Sequence, residues 1–289
     1  TEQDIKEAAR AFTGYQLNRG TGSVLHNKFQ WDRGEKTFLG QKGNFDGDGI
    51  IDVVFTQKQA SRYLPMKLWE FFAFESPSEG MVEALGDAFA EANFEVKPVL
   101  RKILMSEEFY SADAIRTQIK SPIQFLVQML RQLELDELPR AFVTKLQADL
   151  GQILFFPPNV AGWDWGKAWI NTNSLLTRYN ISGFVTKGTG AEAMMGGGGG
   201  RRGGAMMRQV VGRNWLGPDY DKIVPRELRT DSAELIKLLS FRLFQAQLEE
   251  KQVASFREYA DAKRGVVFTN SEVAELVHLM MSTPYYQLT

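Results

Sequence analysis

The chain has no cysteine anywhere in its 289 residues. That removes thiol nucleophiles, disulfides, iron–sulfur clusters and cysteine-based zinc sites in one step. Histidine is nearly as scarce, with only His26 and His278. A site with three histidine ligands cannot be built within one chain, and a histidine general base has two candidates. No apolar run approaches the ~20 residues that cross a bilayer, so no membrane span is expected. Positive and negative side chains nearly cancel, for a net charge of −1, which provides no field to draw nucleic acid or an anionic membrane. There is no Gly-x-Ser-x-Gly, no dinucleotide fingerprint and no phosphate loop; Gly196–Gly204 lacks the Lys-Ser/Thr that would follow. The sequence opens at Thr1, directly into an amphipathic helix without Met or signal peptide. It therefore reads as the C-terminal piece of a longer protein.

What is present is mostly helical periodicity. Ile5, Ala8, Ala9 and Phe12 share a face and Gly14 is a plausible stop. Between Thr13 and Gly49 the texture turns glycine-rich. Phe29–Trp31 and Thr37–Leu39 flank Asp32-Arg33-Gly34-Glu35 there as the expected arms of a hairpin. Ile50–Phe74 carries an apolar stripe through Tyr63, Leu64, Leu68 and Phe71, interrupted by Pro65, which is expected to kink the helix or begin a new one. Ser121-Pro122 begins a later helix, and Asp231 and Asn270 are candidate N-caps further on. The pattern predicts a mainly α fold: about ten helices in an orthogonal or bundle-like body, with a small β hairpin inserted after the first helix. The expected organisation is a helical body over 1–186 carrying the glycine-rich arm at 13–49. A flexible glycine-rich linker at 187–209 follows, then a C-terminal helical part over 210–289 that docks back on the body. The arginine–glycine tract Arg201–Gly204 occurs once, whereas RNA-binding tracts repeat, so the linker reading is preferred.

Three stretches carry chemistry. Asn44, Asp46, Asp48 and Asp52 alternate as in the front half of a calcium loop, with Gly49 at the sixth position. The twelfth position is Phe55 where a bidentate acid belongs. A turn with an N-cap explains the same residues without metal. Asp32 and Lys36 are a candidate acid or base and anion clamp, and His26 lies in the same arm. In the structural alternative Asp32 bonds backbone amides, Gly34 supplies a positive φ and Lys36 pairs with Asp32. The third stretch, Leu150–Arg178, reads LGQILFFPPNVAGWDWGKAWINTNSLLTR. Pro157-Pro158 must end one helix, and another restarts after Gly166 with Trp169, Ile170, Leu175 and Leu176 on its apolar side. So many large rings are expected to be buried, as a plug between helices or the floor of a pocket. Trp163 and Trp165 could offer stacking faces, Asp164 and Asn171 hydrogen bonds, and Arg178 is expected to find a carboxylate such as Asp164.

FFPPNVAGWDWGKAWINTNSLLTR closely resembles the hallmark of a bacterial family catalogued as domain of unknown function 1800. DIKEAARAFTGY, WDRGEKTFLG and LVHLMMSTPYYQ extend the resemblance over nearly the whole chain except the glycine-rich insert. The resemblance implies an exported protein, since many members look exported. It also implies a partner from a companion family, domain of unknown function 1501, which is often encoded alongside and resembles the alkaline phosphatase and sulfatase fold. Relatives often carry His-Asp before the Gly-x-Lys of the second motif; here Trp31-Asp32 stands in that place, and no role of that His carries over.

Two classes of function follow. One is a non-catalytic exported module that binds or scaffolds a partner protein or cell-envelope material such as polysaccharide. The other is a carboxylate-dependent hydrolase or carbohydrate-active enzyme using Asp32 and Asp164 beside the tryptophans, which needs two carboxyls roughly 5–10 Å apart across a cleft. No cofactor is expected beyond the calcium candidate.

Overall fold

The computed structural model of the protein describes residues 1–138, 140–187, 217–263 and 265–289, so the glycine-rich run from 188 onward lies outside the described residues. The fold is mainly α, with twelve α-helices among the described residues and two small antiparallel hairpins. Contacts divide the chain into two compact units, Thr1–Tyr110 and Ser111–Thr289. That division falls far from the glycine-rich run at which the sequence changes texture.

In the first unit, α1 (Glu2–Ala11) starts on a capping box between Thr1 and Asp4. Its inward face is Glu7 and Ala11, while Ile5 and Phe12 are exposed, so the helix buries a different face from the one periodicity assigns. The arm that follows contains two hairpins. β1 (Tyr15–Leu17) pairs with β2 (Val24–His26), and β3 (Lys36–Phe38) pairs with β4 (Gln41–Gly43). The expected hairpin around Asp32–Glu35 is not formed. The second hairpin turns instead at Leu39-Gly40, whose φ values of 48° and 82° give the doubly left-handed corner that suits two-residue turns. Then come α2 (Gly47–Phe55), α3 (Lys58–Phe72), α4 (Glu79–Glu91) and α5 (Val96–Leu104). Pro65 lies buried inside α3, which continues through it and buries Pro65, Trp69 and Ala73 rather than the stripe at Tyr63, Leu64 and Phe71. A Cβ on Gly86 would lie 2.8 Å from Arg62 Cγ, so this glycine is what lets α3 and α4 approach closely.

The second unit holds α6 (Pro122–Gln132), α7 (Arg140–Leu150), α8 (Thr172–Lys187), α9 (Tyr220–Ile223), α10 (Ser232–Leu243), α11 (Glu250–Lys263) and α12 (Asn270–Met281). One apolar core runs from Phe125 in α6 to Tyr286, so the helices after the glycine-rich run share their core with α6–α8. Ser121 caps α6 as expected, in a capping box with Gln124, and Asp231 caps α10. The cap of α12 is Thr269, boxed with Glu272; Asn270 is already helical and accepts instead from Arg229. α8 is unusual in what it hides. Ser174, Arg178, Ser182 and Thr186, one turn apart, are buried while Leu175 and Leu176 are exposed. Ser182 and Thr186 donate to the helix's own carbonyls four residues back, at 2.9 and 2.7 Å, which satisfies the buried hydroxyls locally.

Candidate functional site

Two constellations contain most of the sequence-predicted residues. The first joins α1 to the arm. Arg10, on the last turn of α1, grips both oxygens of Asp32 with Nε and Nη2 at 2.8 and 3.2 Å, and its Nη1 reaches Glu7 at 2.8 Å. Asp32 also accepts from the Gly34 amide at 2.8 Å. Arg10, foremost, then Gly34, hold the Asp32 carboxyl down at about 2, so it is ionised at any physiological pH. Burial alone would raise Glu7; Arg10 and the Thr37 amide outweigh it and keep Glu7 below its ordinary value. Arg10 is in turn raised, by Asp32 first and Glu7 second.

Lys36 is fully buried, and its ammonium does not meet the Asp32 carboxylate. It donates to the carbonyls of Asp32 and Gly34 at 2.5 and 3.0 Å and lies 5.2 Å from the Trp31 ring centre. Burial lowers its pKa against the opposing pull of Asp32. The expected ion pair across the turn is therefore replaced by Arg10–Asp32, and Lys36 serves the backbone. Nor does Gly34 have a positive φ; a Cβ there would stand 2.5 Å from Arg10 Nη2, so the glycine makes room for the guanidinium. Glu7 and Arg10 were missed in the sequence; their i, i+3 spacing inside DIKEAARAF was the available signal. His26 stacks on Tyr15 with centroids 4.3 Å apart and sets its ring edgewise to Trp31, its Nε2 buried without a partner.

In the calcium-like stretch the chain winds into α2 from Gly47. Asp46 is the N-cap, accepting from Gly49 at 3.1 Å, and Asp48 and Asp52 project from the helix itself. Among the described residues no three His, Asp or Glu side chains gather as metal ligands.

The second constellation is the loop between α7 and α8, where the expected burial fails for Phe155, Phe156 and Trp165 while Trp163 and Trp169 are half-buried. Phe155 is 97% and Phe156 74% exposed, Val160 is fully exposed and Trp165 is 46% exposed. Pro157-Pro158 leaves the preceding segment no way to continue helically, and Phe155 takes a left-handed φ of 63°, which turns it outward. Behind the exposed tip, Trp163, Trp169, Asp149, Asp164, Asn171 and Asn173 line a small open cleft of about 280 Å3. Asn171 also caps α8, accepting from the Ser174 amide at 2.9 Å. Asp149 is paired with Lys145 at 2.6 Å. Asp149 and Asn173 were not singled out in the sequence, and Trp169 was read there only as part of a helix's apolar side, because their convergence depends on how α7 and α8 meet.

Arg178 departs from its expected role. It turns into the core, donating to Gln287 Oε1 at 3.1 Å and to the Lys120 carbonyl at 2.8 Å, over the Phe125 ring. No carboxylate pairs with it among the described residues, neither Asp164 nor any other. Burial pulls its pKa down to about 10. Lys120, equally buried, donates to the Tyr286 carbonyl at 2.5 Å, and burial followed by the charge of Arg178 brings it to about 7. Both cations pin the segment 286–289, whose backbone pairs with 118–120 around the Ile119–Leu288 bridge.

Asp32 and Asp164 belong to different units, so the pair named for a hydrolase is not assembled within either one. No helix among the described residues is long and apolar enough to cross a membrane. No curated protein and no solved structure matches the chain. A family model described as "protein of unknown function (DUF1800)" matches residues 1–288, essentially the whole chain, and the protein belongs to that family.

Proposed function

We propose that the protein is a binding or scaffold module of the bacterial cell envelope that holds a partner protein through the loop between α7 and α8. The observation that carries this reading is the outward display of Phe155, Phe156 and Val160 on a proline-stiffened turn. Large apolar groups kept in water have no folding advantage and mark contact sites. In the arm, by contrast, Asp32 is taken up by Arg10 and Lys36 by two backbone carbonyls, which leaves little of either for chemistry. The resemblance to an exported family, with its phosphatase-like companion of domain of unknown function 1501, supplies the partner to try first. The test is a titration of the purified companion from the same genome, followed by interferometry. Wild type is expected to bind, and Phe155→Ser with Phe156→Ser to weaken binding at least tenfold. Absence of binding, or binding indifferent to the double change, refutes the reading.

The cleft beside the loop supports a second reading, contact with polysaccharide. Two indole rings and several carboxamide and carboxylate groups around about 280 Å3 suit a sugar ring. A hydrolase built there would rest on Asp149 and Asp164, because Asp32 is held by Arg10. Affinity electrophoresis against envelope polysaccharides, with Trp163→Ala and Trp169→Ala as comparisons, separates this reading from the first.

A further inference from the structure

Far along the chain from the loop, α10 and α11 diverge around the connection Phe244–Glu249 and leave a cleft of about 940 Å3. This is within the ~300–1,000 Å3 typical of small-molecule sites. Its floor is apolar: Ile236, Phe244 and Leu248 are buried core residues, with Val253 packed against them. At its edge Phe241 stands 88% exposed on the outer face of α10. Among the described residues the charged groups lining it are all of one sign, Lys237, Arg242 and Arg257, with no carboxylate.

The three cations are not equally engaged. Arg242 is committed, with Nη1 2.9 Å from both Glu134 and the Gln132 carbonyl. Lys237 is exposed one turn before Phe241 and has no ion-pair partner among the described residues. Among the described residues Arg257 meets only Asp261, at a loose 3.8 Å. An apolar floor with unspent positive charge at the rim favours a ligand with a hydrocarbon body and one anionic head. The body would remove Phe241 and the floor from water, while the head would lie between Lys237 and Arg257.

We infer that this cleft binds an acyl chain bearing a single anionic head, of which a free long-chain fatty acid is the simplest form. The inference stands on α10, α11 and the connection between them and is independent of the loop between α7 and α8 and its partner. The same chemistry could reach the site as a free acid or as an anionic lipid in a membrane, and the experiment separates the two.

Purified protein is titrated with a fluorescent fatty acid, then with oleate as competitor, at concentrations below micelle formation. Saturable one-to-one binding displaced by oleate is expected, with oleyl alcohol at least tenfold weaker because it lacks the charge. Lys237→Glu with Arg257→Glu should weaken oleate at least tenfold at unchanged Tm, both side chains being exposed. Phe241→Asp should weaken oleate and oleyl alcohol alike. Absence of saturable binding overturns the inference. So does binding indifferent to the charge reversal, which marks a merely greasy surface. Attachment to phosphatidylglycerol vesicles without binding of monomeric oleate also overturns it, in favour of a membrane-facing surface.

Discussion

The arm and the loop, each resembling a family motif, treat their side chains in opposite ways. In the arm, charged side chains are half-buried or buried and are tied to one another or to the backbone. Arg10 holds Asp32 and Glu7, and Lys36 is buried on two carbonyls. In the loop, apolar residues are turned outward and touch little, Phe155, Phe156 and Val160 above all. A buried charge must be paired or bonded, so the polar motif is explained by folding; an exposed phenylalanine gains nothing from folding, so the apolar motif is not. The fold accounts for how the arm holds its charges, whereas it leaves the rings of Phe155 and Phe156 exposed, which makes the loop the better candidate for contact.

Breaking the buried cations should have the largest effects. Lys120 is the counterpart of Lys36 in the second unit but has Arg178 beside it, and its pKa falls to about 7. The unfolded chain binds that proton up to about pH 10.4, the ordinary lysine value, so between about 7 and 10.4 unfolding takes up a proton. Stability relative to Lys120→Met should therefore rise with pH across that window, by up to about 5 kcal/mol, and stay level below it. Urea unfolding of both proteins from pH 6 to 10 measures this; a flat difference would mean that Lys120 keeps its proton in the fold. Lys36→Ala comes next. It leaves a cavity and two carbonyls without their donor, and should cost about 2–4 kcal/mol in the unfolding of the first unit.

Gly34→Ala is a milder cut at the same place. The added methyl displaces a guanidinium that is partly solvated, so about 1 kcal/mol is expected by thermal melting, with Arg10→Ala removing most of the difference between glycine and alanine. The smallest expected effect sharpens the comparison most. Phe155→Ser with Phe156→Ser should change stability by no more than about 0.5 kcal/mol, in sharp contrast to Lys36→Ala. A loss of several kcal/mol by chemical denaturation would show that the rings are packed in solution, and the contact reading of the loop would fail.

The helical character of the chain was legible in 3.6-residue periodicity and in caps such as Ser121 and Asp231, because these signals are local. Which face each helix buries was less so. α8 carries leucines at 175 and 176 yet buries Ser174, Arg178 and Ser182, since the space around it is filled by α12 and the 286–289 segment, with polar partners waiting. In the arm, Asp32 and Lys36 could be singled out by type and spacing, but Arg10 lies 22 residues before its partner Asp32, and nothing in the spacing joins them. The cleft beside the loop was half visible, through Trp163, Asp164 and Asn171; Asp149 enters it from the end of α7.

By itself, then, the sequence determined what the chain cannot do with thiols or histidine clusters, its helical class, and the breaks that proline and glycine impose. Each of those depends on a residue and its near neighbours. Tertiary structure decided whom the charges meet and which rings face water. It turned Lys36 and Arg178 inward and Phe155 outward, because burial and pairing depend on segments that only the folded chain brings together.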